Sequence, residues 1–252
     1  MSMEINLSYF LHSSIAIAVF YLAYILLFTK EKIFLFNRFY LLMSMIISFI
    51  IPLITFREKR MLSEVIIPEQ LFQSITPTQP TSLALAPPVY NWQPILAILF
   101  IGGFVFFLIV LIIGHVKVWR LVHTTSKQTL YGHSVRITTK NIPPFAYFGK
   151  LIIPSGYLNS PHLQSVVCHE RIHAKEQHCI DLCFAEFLFL FQWFNPFAWL
   201  MKKAIRDNLE FLTDNEAINH IDKQEYQLSM VSLSSNNTIS YFPSISSHNS
   251  SL

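Results

Sequence analysis

The chain has 252 residues, of which 52% are hydrophobic and only 13% charged, about half the charged share of a soluble globular protein. With a mean hydropathy of +0.42, much of it is solvated by lipid, and a formal charge of only +3, scattered along the chain, excludes direct nucleic-acid binding. Three cysteines clustered within 16 residues, Cys168, Cys179 and Cys183, exclude a disulfide framework and read as small buried apolar residues.

Three apolar runs reach the ~20 residues that cross a bilayer: about Tyr9 to Phe28, Ile33 to Ile54, and Ile95 to Ile113. The leader before the first run has no basic residue and no small-residue cleavage site, so this run is read as a retained span. Lys30, Lys32 and Arg38 follow the first span, and Lys117, Arg120, Lys127, Arg136 and Lys140 follow the third. Basic residues favour the cytoplasm, which puts the N-terminus outside; Arg57, Lys59 and Arg60 run against the rule. The expected organisation is thus two transmembrane helices with a short cytoplasmic loop in residues 1–55, and an extracytoplasmic Pro/Ser/Thr-rich loop in 56–93. The third transmembrane helix occupies 94–114.

Residues 115–231 are expected to form a cytoplasmic-side domain. Ser134 to Thr138 alternates as a strand does, and Phe145 to Ile153 reads as a second strand between Pro143-Pro144 and Pro154-Ser155-Gly156. A helix is predicted with Ser160 as N-cap and Pro161 at its first position, running through His169 and His173 and onward. A fourth apolar run, Leu182 to Leu200, is long enough to cross but is interrupted by Glu186, Gln192 and the turn signal Asn195-Pro196. Lys202 to His220 reads as a polar helix, and the Ser- and Asn-rich residues 232–252 as a disordered or truncated tail.

His169-Glu170-Arg171-Ile172-His173 holds the chemistry. Two histidines four apart on a helix share one face, so both can ligate one Zn2+, while the intervening Glu170 can act as general base. A third ligand is needed. The metzincin positions hold Glu176 and Cys179, and the thermolysin-like position holds Trp193, so both spacings fail. Glu186, Glu210 and Glu216 remain. Glu210 is favoured because Arg206, Glu210 and Asp214 share a helix face. There Asp214 could fix the tautomer of a ligand imidazole, and Arg206 could pair with a carboxylate or substrate. His178 and Asp181 are candidates for supporting positions around the ligands. A ligand set of His169, His173 and Glu210 requires one side of the membrane, so Leu182 to Leu200 is expected to dip into the bilayer, turn at Asn195-Pro196 and return.

The ordered set of His169-Glu-Arg-Ile-His173, His178, Asp181, Glu186, Trp193-Phe-Asn-Pro196, Trp199 and Glu210-x-x-x-Asp214, after three spans, resembles the BlaR/MecR family of membrane metallopeptidases. The resemblance implies a mainly α integral membrane protein in a bacterial cell membrane. Its three transmembrane helices would join a small α+β, gluzincin-like zinc peptidase domain with a membrane-dipping helical hairpin. It implies one Zn2+ on His169, His173 and Glu210, Glu170 as base, and Asp214 behind a ligand. It also implies a substrate-binding edge near Phe145 to Ile153, and signalling by cleavage of the protein itself or of a cytoplasmic repressor. Sensor-bearing members add a penicillin-binding domain; this sequence contains no Ser-x-x-Lys acylation motif. The alternative is a non-catalytic membrane receptor or scaffold that uses the peptidase fold to bind a partner. A zinc transporter is disfavoured because no span carries paired acidic or histidine residues.

Overall fold

The apolar runs form helices because a chain in lipid must satisfy its backbone hydrogen bonds internally. The computed structural model describes residues 2–54 and 92–236, with side chains described for 8–54 and 92–231. The expected Pro/Ser/Thr-rich loop, up to residue 91, and residues 237–252 lie outside these limits. α1 (Ser2–Leu27), α2 (Phe34–Ile50, continued by a 3-10 turn, Ile51–Leu53) and α3 (Gln93–Thr124) contain the three membrane-length apolar segments among the described residues. Their outer faces expose Leu11, Val19, Phe39, Ile98 and Phe106, side chains that suit a lipid contact. α3 is the most peripheral; Val122, near its end, is the buried residue on it.

A small four-stranded sheet follows: β1 (Ser126–Leu130), β2 (His133–Thr138), β3 (Phe145–Tyr147) and β4 (Lys150–Pro154). The spatial order is β1-β2-β4-β3, with β2 and β4 parallel and the outer pairs antiparallel. The single strand expected over Phe145 to Ile153 is instead a hairpin. Phe148 and Gly149 both have positive φ (44° and 74°), the two-residue turn whose twist matches antiparallel strands. Tyr131 and Gly132 (50° and 76°) turn β1 into β2 the same way. Val135, Ile137, Leu151 and Ile153 on one sheet face bury Leu163, Val166 and Val167 of α4 (Leu163–Lys175). From β2, Arg136 Nη1 donates to Val122 O at 2.7 Å, tying the sheet to the end of α3.

α4 begins two residues after Pro161, with His162 at its cap; the Ser160 hydroxyl accepts from His162 N. It also stops earlier than the sequence suggests. Gln177 adopts a left-handed conformation (φ 55°), so the expected continuous helix breaks and α5 (His178–Leu190) sets off in a new direction. With 13 residues, α5 is ~20 Å long, short of the ~30 Å hydrocarbon core. The Asn195 side chain accepts from Phe197 N at 3.0 Å, capping α6 (Pro196–Ala217) with Pro196 in its first turn. α6 then returns along α5, as the contacts Glu186–Lys202 and Phe189–Trp199 show. α7 (Lys223–Asn236) closes the fold and takes in residues 232–236.

The main core joins α1, α2, α5 and α6 through Ile17, Leu41, Met45, Ala185, Phe189 and Met201. Several polar groups inside it are paired, which offsets the cost of their burial. Glu186 Oε2 lies 3.0 Å from Lys202 Nζ, both about 5% exposed, with the ammonium 4.2 Å from the Phe189 ring centroid. At the hairpin tip Ser14 Oγ donates to Gln192 Oε1 at 2.7 Å. At the other end Arg38 Nε pairs with Asp181 at 2.7 Å and Arg38 Nη2 donates to Glu176 O at 2.9 Å, which fixes the α4–α5 break against α2.

Candidate metal centre

The roll of α4 is set by the residues that cover the sheet. With Leu163, Val166 and Val167 buried there, His169 and His173 face α6 and α7, one helical turn apart. Their Nε2 atoms are 3.1 Å apart. Glu210 Oε2, delivered by α6, lies 3.5 Å from the first and 3.6 Å from the second. A tetrahedral ion with bonds of ~2.0–2.1 Å has ligand–ligand edges of about 3.3–3.4 Å. The three atoms therefore outline one face of such a polyhedron. Among the described residues, this is the group of His, Cys, Asp and Glu side chains gathered closely enough to hold a metal ion. Two imidazole nitrogens face each other across 3.1 Å, an arrangement that needs a cation or proton between them. Two nitrogens and a carboxylate form a donor set suited to zinc with open coordination positions.

The opposite ring nitrogens are also held. Tyr226, on α7, places its hydroxyl 2.7 Å from His169 Nδ1 and donates to Asp214 Oδ1 at 2.6 Å. Since that O–H is spent on Asp214, the phenolic oxygen accepts from His169 Nδ1–H, which leaves Nε2 as the nitrogen that faces Glu210 and is free for a metal ion. Asp214 Oδ1 is itself 3.4 Å from His169 Nδ1. Behind His173, His178 Nδ1 lies 2.9 Å from His173 Nδ1, with Thr213 Oγ1 3.3 Å from the same His178 nitrogen. On one continuous helix, residues five apart would diverge by about 140°; the break at Gln177 is what brings His178 back against His173.

Electrostatics at the metal-free site favours a cation. Burial depresses the His169 imidazolium, but hydrogen bonding to Asp214 and Glu210 outweighs it and raises the pKa to about 10. Burial opposes ionisation of Glu210, yet the two histidines hold its carboxyl well below the usual range. Burial pushes the Glu170 carboxyl up, with His169 and His173 pulling the other way. Glu170 takes a hydrogen bond from the Ala146 backbone, which sets it between the active helix and edge strand β3. Burial, then His173 and Arg38, lower His178 to about 3, so it stays neutral beside the pair.

Not every predicted residue joins this cluster. Asp181 is engaged with Arg38 on α2. Arg206 makes no ion pair with Glu210 or Asp214 among the described residues, and its Nε is buried without a hydrogen-bond partner. Glu186 is spent on Lys202, and Glu216 lies 3.5 Å from His220, so Glu210 is the acidic candidate that reaches the histidines. Tyr226 was not among the sequence candidates. No spacing rule points to it, because its contacts exist only where α7 packs across α4 and α6.

No curated protein matches the chain. Residues 150–247 match the family described as BlaR1 peptidase M56, and this segment holds every side chain of the His169, His173 and Glu210 cluster and its supports. Over this segment, about two fifths of the chain, the protein is similar to the BlaR1 peptidases.

Proposed function

We propose that the protein is a membrane-embedded, zinc-dependent endopeptidase of gluzincin type that acts in signal transduction by cleaving itself, a cytoplasmic protein such as a transcriptional repressor, or both. The observation that carries this reading is the triangle of His169 Nε2, His173 Nε2 and Glu210 Oε2, with edges of 3.1, 3.5 and 3.6 Å. These three residues would hold one Zn2+. When bound, zinc supplies a Lewis acid that lowers the pKa of water to about 7 and polarises a scissile carbonyl. Glu170 would take a proton from the attacking water and deliver it to the leaving amine; its raised pKa makes it a stronger base than an exposed glutamate. Asp214 through Tyr226 would orient His169, and His178 would orient His173.

Charge supports a cytoplasmic site. Asn208 Nδ2 donates to Phe34 O at 2.9 Å, and Arg38 grips Glu176, so the metal-ligating ends of α4 and α6 lie at the end of the bundle where α2 begins. Lys30, Lys32 and Arg38 lie at that end, and Lys117 and Arg120 near the sheet end of α3. The positive-inside rule assigns this end to the cytoplasm and the N-terminus to the outside. The short α5, turning at Asn195-Pro196, supports a hairpin that enters the membrane without crossing it.

The test is Glu170→Gln. Purified variant should retain about one zinc per chain and a native fold while losing peptide-bond cleavage by ~10²-fold or more. Full cleavage activity in the variant would sink the catalytic assignment. An unchanged cellular phenotype would favour the receptor or scaffold reading.

A further inference from the structure

A cavity of about 620 Å³ opens beside the metal centre, and none of His169, His173 and Glu210 lines it. Its volume falls within the ~300–1,000 Å³ of small-molecule sites. The loop between α1 and α2 contributes Lys32, α2 its first residue Phe34, α6 Phe211 and Asp214, and α7 Lys223 and Tyr226. The helices set its level in a bilayer. One membrane-length apolar segment ends at Leu27 and the next begins at Phe34, so Lys32 stands in the short loop that joins them. Asn208 Nδ2 reaches Phe34 O at 2.9 Å. Just beyond Asn208 on α6, the Phe211 ring lies 6.0 Å from the Phe34 ring. The cavity therefore sits where hydrocarbon gives way to headgroups.

Its lining is divided in the same way. Phe34 and Phe211 are apolar, and so is Val231 of α7. Val231 and Leu228, one helical turn apart, are 67% and 66% exposed, an apolar face that nothing in the fold covers. Lys32 and Lys223 approach from two different elements, and neither has an ion-pair partner among the described residues. The carboxylate in the wall, Asp214, is taken by the Tyr226 hydroxyl at 2.6 Å. Two unpaired cations beside an apolar wall at the bilayer boundary are complementary to an anion that carries hydrocarbon chains.

We infer that this cavity seats an anionic phospholipid from the leaflet at that end of the bundle, with its phosphate between Lys32 and Lys223 and its acyl chains along Phe34, Phe211 and Val231. The seat also bears on the metal centre, and in that respect it rests on the zinc reading above. Tyr226 belongs to both: it lines the cavity, and its hydroxyl joins Asp214 to His169. α7 is anchored by Tyr226 against Ile172 of α4 and Ala217 of α6, a small cluster for a helix that supports a metal ligand. A lipid that bridges Lys32 on the bundle and Lys223 at the start of α7 ties this helix down. Because it binds the docked arrangement, it raises the share of chains in which Tyr226 holds His169. Anionic lipid and zinc affinity are thereby coupled.

The test uses the full chain, offered phosphatidylcholine and phosphatidylglycerol in detergent, with native mass spectrometry to count the lipids it keeps. Wild-type protein should keep about one phosphatidylglycerol in preference to phosphatidylcholine. The double variant Lys32→Gln/Lys223→Gln should bind it about thirtyfold more weakly, since each lysine near a membrane surface contributes about fivefold. Lys117→Gln/Lys127→Gln, the same charge change elsewhere, should keep it. In phosphatidylcholine vesicles, adding phosphatidylglycerol should raise zinc affinity about fivefold or more, read against a competing chelator. That gain should vanish in the Lys32/Lys223 variant and persist in the Lys117/Lys127 variant. Equal phosphatidylglycerol retention by wild type and the Lys32/Lys223 variant would overturn the inference. A changed oligomeric mass in that variant would then assign the cavity to a second copy, and a changed KM to a peptide. Selective retention with no gain in zinc affinity would overturn the coupling. No bound zinc in either lipid would refute the metal-site reading, while the lipid count would still decide the seat.

Discussion

His169 is held from both sides: its Nε2 faces the ligand triangle, and its Nδ1 is tied through Tyr226 to Asp214. Removing the Tyr226 hydroxyl leaves the imidazole free to rotate and to choose its tautomer. Tyr226→Phe should therefore keep the fold but weaken zinc binding about 10–100-fold, read by titration against a competing chelator. Unaltered affinity would show that the hydroxyl does not support the ligand. The metal-free site also holds a proton, because His169 is raised to about 10. Below that pH the proton must leave before zinc binds, so affinity should rise with pH, about tenfold per unit between pH 6 and 8. Calorimetry in buffers of different ionisation enthalpy would measure the released proton. The pairing of His169 with His173 was legible in the sequence because a shared helix face is a local property. Glu210 was legible only by elimination and by its spacing to Asp214. Tyr226 was not legible, since nothing in the sequence states how α7 crosses α4.

Helix and strand boundaries show the same division between local and tertiary causes. The hairpin turn at Asn195-Pro196 was readable because the Asn side chain and the Pro ring act within two residues. The break at Gln177 was not, because its left-handed backbone is stabilised from outside: Arg38 of α2 takes the Glu176 carbonyl and pairs with Asp181. The turn at Phe148-Gly149 was hidden by an apolar run that reads as one strand. Two substitutions probe the hairpin. Lys202→Met leaves the Glu186 carboxylate buried without its partner and should cost about 3–5 kcal/mol. Pairing it with Glu186→Leu should recover most of that loss, as thermal unfolding in detergent would show. At Gly103, a Cβ would run into the Trp193 ring. Gly103→Val should push α3 away from the hairpin and destabilise the protein, while the same change at Gly102, with open space around it, should be tolerated.

For the whole molecule, the membrane-length helices and the α5–α6 hairpin put the His169, His173 and Glu210 cluster at the end of the bundle where Lys30, Lys32 and Arg38 lie. Reporter fusions at the N-terminus and within residues 126–138 should place them on opposite sides of the membrane, the latter in the cytoplasm; both on one side would refute the orientation. The three membrane-length apolar helices among the described residues were legible from hydropathy alone. The docking of the sheet on α3 was not, because it depends on the Tyr147–His115 contact between strand and helix. The central claim is that this cluster is a zinc site, and zinc-edge X-ray absorption of the purified protein tests it most directly. The predicted result is about one zinc per chain, with two imidazole nitrogens and carboxylate oxygen at ~2.0–2.1 Å, and with the carboxylate lost in Glu210→Ala. Sulfur scattering at ~2.3 Å, which would assign the metal to the cysteines, or no bound zinc at all, would contradict it.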